Sequence, residues 1–87
     1  MTKRQNLIGS EVRKLRYAQD LTQDMLAARC ARVGWDVSRG TLAKVEAQVR
    51  RVSDVEVLIL AKALNVNVTD LYPSHVRSKQ SVSYPSR

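Results

Sequence analysis

TQDMLAARCARVGWDVSRGTLAKVE, residues 22–46, contains two helix starts in close succession. Thr22-Gln23-Asp24 opens an amphipathic stretch, with the Thr22 hydroxyl placed to accept from backbone N–H groups of the first turn. Met25, Leu26, Arg29, Cys30 and Val33 follow at helical spacing, and Gly34 supplies a left-handed stop. Trp35-Asp36-Val37 then forms a turn. Ser38 caps a second short helix that sends Leu42 and Val45 inward and carries Arg39, Gly40, Thr41 and Lys44 near its start. Two short helices this close predict a helix-turn-helix, whose second helix is small and exposed enough to enter a DNA major groove.

On the N-terminal side, Ile8, Val12 and Leu15 mark the apolar stripe of a helix over Leu7–Ala18, with Arg13, Lys14 and Arg16 on its polar side. Gln19-Asp20 ends it. On the C-terminal side, Ala47–Val52 reads as a basic loop, and Ser53 caps a fourth helix with Asp54 and Glu56 near its positive end. Its core stripe is Val57, Leu60, Ala61 and Leu64. Val55, Leu58 and Ile59 fall on a second face at about 100° per residue, which either the first or fifth helix covers or a second copy of the chain does. A last short helix runs from Asn67 to Leu71, closed by Pro73. The expectation is an all-α, five-helix bundle over residues 1–73, with 74–87 a disordered basic tail too polar to offset its ordering entropy.

Composition narrows the function classes. The 87 residues hold 15 Lys and Arg against 8 Asp and Glu, a formal net charge of +7 that favours phosphate binding without specifying sequence. The apolar fraction is 44% with no Phe, which suits a helical core of Leu, Val and Ala. A lone cysteine, Cys30, excludes an intrachain disulfide and a multi-cysteine zinc site, and reads as a buried small hydrophobe. His75 has no Cys, Asp or Glu beside it, so no metal site is expected. Neither a signal peptide nor a membrane span of about eighteen apolar residues is visible, and a cytoplasmic location is expected. No carboxylate pair, Ser/His/Asp set or Gly-rich phosphate loop points to an enzyme or a cofactor.

Ile8-Gly9, Val12, Leu15-Arg16, Leu21-Thr22-Gln23, Leu26-Ala27, Val37-Ser38, Glu46, Leu60-Ala61-Lys62-Ala63-Leu64 and Leu71 together resemble the Cro/C1-type (Xre) helix-turn-helix domain. The resemblance covers about residues 7–72 and implies a lambda-repressor-like fold. It implies that Gln23 contacts a phosphate and braces the recognition helix, that Arg39, Gly40 and Thr41 face bases with Lys44 one turn on, and that Thr22 and Ser38 belong to the same DNA-binding surface. It also implies a buried Arg16–Glu46 ion pair and phosphate contacts from Arg50 and Arg51. The side-chain chemistry fits: Arg39 can fork onto guanine O6 and N7, Lys44 suits a phosphate or guanine, and Thr41 a phosphate or thymine methyl. Gly40 reads nothing and permits close backbone approach.

Two departures from the family pattern stand out. Several additional residues, about Arg29 to Trp35, separate the two helices, so either the second helix is longer or the turn is wider with Trp35 packed into it. The glycine usual after the family's glutamate is replaced by Ala47-Gln48, so Gln48 or a neighbour must take a strained or different cap. The reading implied is a sequence-specific DNA-binding transcriptional regulator, a homodimer on a partly palindromic double-stranded site. The alternatives are an antitoxin that binds a partner toxin and autoregulates, and a protein-interaction module without DNA binding.

Overall fold

The computed structural model describes residues 3–76. Within them lie α1 (Gly9–Ala18), α2 (Gln23–Val33), α3 (Arg39–Glu46), α4 (Asp54–Leu64) and a closing 3-10 turn, Val68–Leu71. No strand occurs among the described residues, so the all-α, five-helix reading stands. Ser74–Val76 forms one further helical turn, with the Val76 N–H donating to the Pro73 carbonyl at 2.9 Å. The remainder of the tail expected over 74–87 lies outside the described residues.

Each boundary has a local cause. The Thr22 hydroxyl accepts from the Met25 N–H at 3.0 Å, and the Ser38 hydroxyl from the Thr41 N–H at 3.1 Å. At α4 the exchange is reciprocal: the Ser53 hydroxyl accepts from the Glu56 N–H, and a Glu56 carboxylate oxygen accepts from the Ser53 N–H. Such a capping box satisfies two of the donors that a helix start leaves open. Gly34 ends α2 in the left-handed region at φ 110°, where a Cβ would be strained. In the long α2–α3 connection, α2 continues to Val33, and Trp35 packs against the core from within the turn.

Leu26 and Cys30 of α2, Leu42 and Val45 of α3, and Leu60 and Leu64 of α4 are fully enclosed, and Val12 and Leu71 close the core from α1 and the 3-10 turn. Burying each leucine contributes about 1.5–3 kcal/mol relative to exposure. Burial pushes the Cys30 thiol up to about 11, so it behaves as the small hydrophobe its sequence position suggests. Gly9 sits where α1 meets the end of α3, and a Cβ there would collide with the Val45 carbonyl.

Three sequence readings change. Met25 is 47% exposed and lies off the α2 core stripe, while Arg29 bridges to the Ala63 carbonyl at 3.2 Å. The first helix begins at Gly9, leaving Leu7 exposed before it. Arg16, placed by periodicity on the polar side of α1, is buried. Among the described residues no helix is long and apolar enough to cross a membrane.

Candidate nucleic-acid interface

The eight residues of α3 divide by face. Leu42, Val45 and Glu46 point into the molecule, whereas Arg39, Gly40 and Lys44 are exposed and Thr41 is half-buried. Glu46 is the polar exception on the inner face, and its charge is met fully. Arg16 Nε donates to Glu46 Oε2 at 2.7 Å and Nη2 to Oε1 at 2.9 Å, a two-pronged pair with side chains only 7% and 4% exposed. Arg16 Nη1 donates to the Leu21 carbonyl at 2.8 Å, and Gln23 Nε2 to Glu46 Oε1 at 3.1 Å. The hydrogen bonds from Arg16 to Glu46 hold the guanidinium's pKa above its ordinary value, against the desolvation that burial imposes. One carboxylate thus fastens α3 to α1 and to the first residue of α2. Buried charges persist when paired and hydrogen-bonded in this way.

The outer face is different. Among the described residues neither Arg39 nor Lys44 meets an ion-pair partner, and both are open to solvent. The Ser38 hydroxyl donates to Thr41 Oγ1 at 3.0 Å, which leaves the Thr41 hydroxyl hydrogen available to an external acceptor. A Cβ built on Gly40 would find only Ser38 Oγ, at 3.9 Å, so packing within the chain does not demand glycine there. An open groove of about 760 Å³ runs beside this face, between the second half of α1, the start of α2 and α3. Arg13, Tyr17, Gln23 and Arg39 border it, with Asp20 and Asp24 also on its lining. The Arg13 and Arg16 guanidinium carbons stand 5.7 and 4.6 Å from the Tyr17 ring centroid, and hydrogen bonding to the two cations lowers the exposed phenol's pKa. Sequence periodicity gave no reason to single out Arg13 and Tyr17.

The exit of α3 solves the missing-glycine problem with Gln48. Its φ of 64° is left-handed, as the Ala47-Gln48 replacement predicts, and its side chain donates to the Asn6 carbonyl at 3.1 Å. Asn6 was not anticipated. Its Oδ1 accepts from the Ile8 and Gly9 N–H groups, and its Nδ2 donates to the Val45 and Arg50 carbonyls at 3.1 and 2.8 Å. One amide therefore starts α1 and pins the last turn of α3. An Asn three residues before Gly9 is the only sequence sign of it.

The two loop arginines part company. Arg51 is exposed, as a phosphate contact requires. Arg50 is half-buried and committed within the chain, donating to both carboxylate oxygens of Glu56 at 3.0 and 3.3 Å. The hydrogen bond from Arg50 holds the Glu56 carboxyl below its ordinary range, with the Ser53 N–H helping. On α4, Ile59 packs against the core, but Val55 and Leu58 are 61% and 46% exposed, uncovered by α1 or the 3-10 turn.

The helix-turn-helix (HTH_3) family profile matches residues 12–71. Among solved structures, the restriction-modification controller protein C.AhdI from Aeromonas hydrophila is 34% identical, over 75% of this chain and 91% of its own, with a TM-score of 0.67. The clp gene regulator ClgR from C. glutamicum is 21% identical, over 98% of this chain and all of its own, with a TM-score of 0.69, a likeness of fold. Among curated protein sequences, none matches significantly.

Proposed function

The chain belongs to the helix-turn-helix (HTH_3) family, and from that premise we propose that it is a DNA-binding transcriptional regulator. In this reading the front of α3 lies in the major groove and a homodimer spans a partly palindromic duplex. The observation that carries it is the division of α3. Every polar group on its inner face is paired, while Arg39 and Lys44 stand on its outer face without a partner among the described residues. Cations held ready on a rigid, braced helix suit base edges and phosphates, since their supporting framework is already ordered before binding. Arg39 forks onto a guanine, and Thr41 and Lys44 reach a neighbouring base or phosphate. Gln23 supplies a phosphate contact beside the bond that it donates to Glu46, and the capped starts at Thr22 and Ser38 bring backbone N–H groups toward the strand. Arg51 adds a phosphate contact from the loop.

The exposed pair Val55 and Leu58 supports dimerisation through α4. One helix-turn-helix reads few base pairs, and two copies set about one helical turn apart double the site. A selection of bound duplexes from a random pool, with sedimentation at equilibrium on the same protein, tests both parts. The expected result is an enriched motif with two-fold symmetry and a mass of two chains. An unenriched pool overturns the DNA reading, and a single-chain mass with an asymmetric motif overturns the dimer.

A further inference from the structure

Arg50 meets two separate segments with its guanidinium, α4 and the turn before α3, and a third with its carbonyl. Its guanidinium donates to Glu56 Oε1 and Oε2, in the first turn of α4, at 3.0 and 3.3 Å. Nη1 also donates to the Arg51 carbonyl, in the loop after α3, at 2.9 Å. The guanidinium carbon stands 5.8 Å from the ring centroid of Trp35, in the turn before α3. From behind, the Arg50 carbonyl accepts from Asn6 Nδ2, which also holds the Val45 carbonyl in the last turn of α3. The Glu56 carboxylate is itself fixed, because it closes the capping box with Ser53.

From this convergence we infer that Arg50 is a positioning residue for the recognition helix. It links the turn that enters α3 to the loop that leaves it and ties both to α4, and it does not serve as a phosphate contact. The inference rests on the DNA-binding reading above and adds what sets the tilt of α3. The long α2–α3 connection makes such a link useful. Within the turn the Val37 N–H donates to the Trp35 carbonyl at 2.8 Å and the Trp35 N–H to the Cys30 carbonyl at 2.9 Å, bonds that tie the turn back to α2 and not to α4 or to the loop after α3. The Arg50 pair retains solvent contact, with side chains 34% and 19% exposed, and pairs of that kind add little to stability. Its geometry matters more: a two-pronged, planar fork fixes direction as well as distance.

The test compares wild type, Arg50→Ala, Arg50→Lys and Glu56→Gln, all well below their melting temperatures. The probes are a duplex selected from a random pool by wild type and a scrambled duplex of equal length, each titrated across salt. Arg50→Ala is expected to reduce the affinity ratio between the two duplexes about two- to thirtyfold, the range for residues that act without touching the ligand. The salt slope is expected to stay at the wild-type value. Arg50→Lys keeps the charge but not the fork, and its ratio is expected to remain low. Glu56→Gln keeps an acceptor for the capping box yet withdraws the charge, and it too is expected to lower the ratio.

Equal weakening of both duplexes by Arg50→Ala, with the slope falling by about 0.9, overturns the inference in favour of a phosphate contact. Equal tightening of both by Glu56→Gln, from a released cation, does the same. Ratios unchanged in all three variants overturn it as well. A wild-type protein that binds both duplexes alike brings down the DNA reading itself, and that result is seen before any substitution is made.

Discussion

The inner and outer faces of α3 carry similar chemistry under opposite conditions. Inside, Glu46 holds three hydrogen bonds from Arg16 and Gln23 and is shut away from water. Outside, Arg39 and Lys44 are solvated and unpaired among the described residues. Desolvation makes the inner charges expensive to strand, so they govern whether α3 stays in place. Solvation makes the outer charges nearly neutral for folding, so they remain available to a ligand. Stability and the proposed recognition are thereby separated on one two-turn helix.

The largest effect belongs to the inner face. Glu46→Ala is expected to cost about 3–5 kcal/mol of folding free energy, because Arg16 is left buried without its partner. Thermal melting followed by far-ultraviolet circular dichroism measures this. A loss near the level of a surface substitution would erase the contrast between the faces. On the outer face, Arg39→Ala is expected to leave stability within about 0.5 kcal/mol while costing about 1–3 kcal/mol on the preferred duplex and relaxing choice at one base pair. A panel of single base-pair changes shows the relaxation. An unaltered ranking across that panel would remove Arg39 from base reading.

Gly40→Ala sharpens the comparison, since its two effects have opposite signs. A Cβ at that position makes only an ordinary contact with Ser38 Oγ, at 3.9 Å, so the fold is expected to gain about 0.5–1 kcal/mol from the better helix former. Binding is expected to weaken, because in the proposed docking the methyl group stands where the duplex approaches α3. If melting and affinity rise together, no close approach occurs at Gly40.

The smallest effect concerns acid. Arg50 depresses the Glu56 pKa below its ordinary value of 4.5, so the stability this group contributes is present above that value. It is lost as pH falls through the depressed folded pKa. The melting difference between wild type and Glu56→Gln is therefore expected to shrink as pH drops below 4.5, and a constant difference would contradict the pairing.

The helix starts were legible because Thr22, Ser38 and Ser53 act on backbone groups two or three residues away, within the reach of local pattern. Gln48 was legible as a problem, because a chain leaving a helix without glycine must still turn. The buried Arg16–Glu46 pair came from family resemblance, since periodicity alone placed Arg16 among the exposed cations of α1. Asn6 and Arg50 escaped for a shared reason: what each holds is decided by how distant segments meet. Nothing local announces that Asn6 reaches Val45, or that Trp35 and Glu56 converge on Arg50. Met25 misled because a long apolar side chain beside a core stripe looks the same whether it points in or out.

Amide chemical-shift mapping on adding the pool-selected duplex to the wild-type protein is the most direct measurement. The largest shifts are expected at residues 22–24 and 38–44, with the buried end of α2 around Cys30 little changed. Shifts confined to α4, or spread evenly over the basic surface and abolished by modest salt, would contradict recognition through the front of α3.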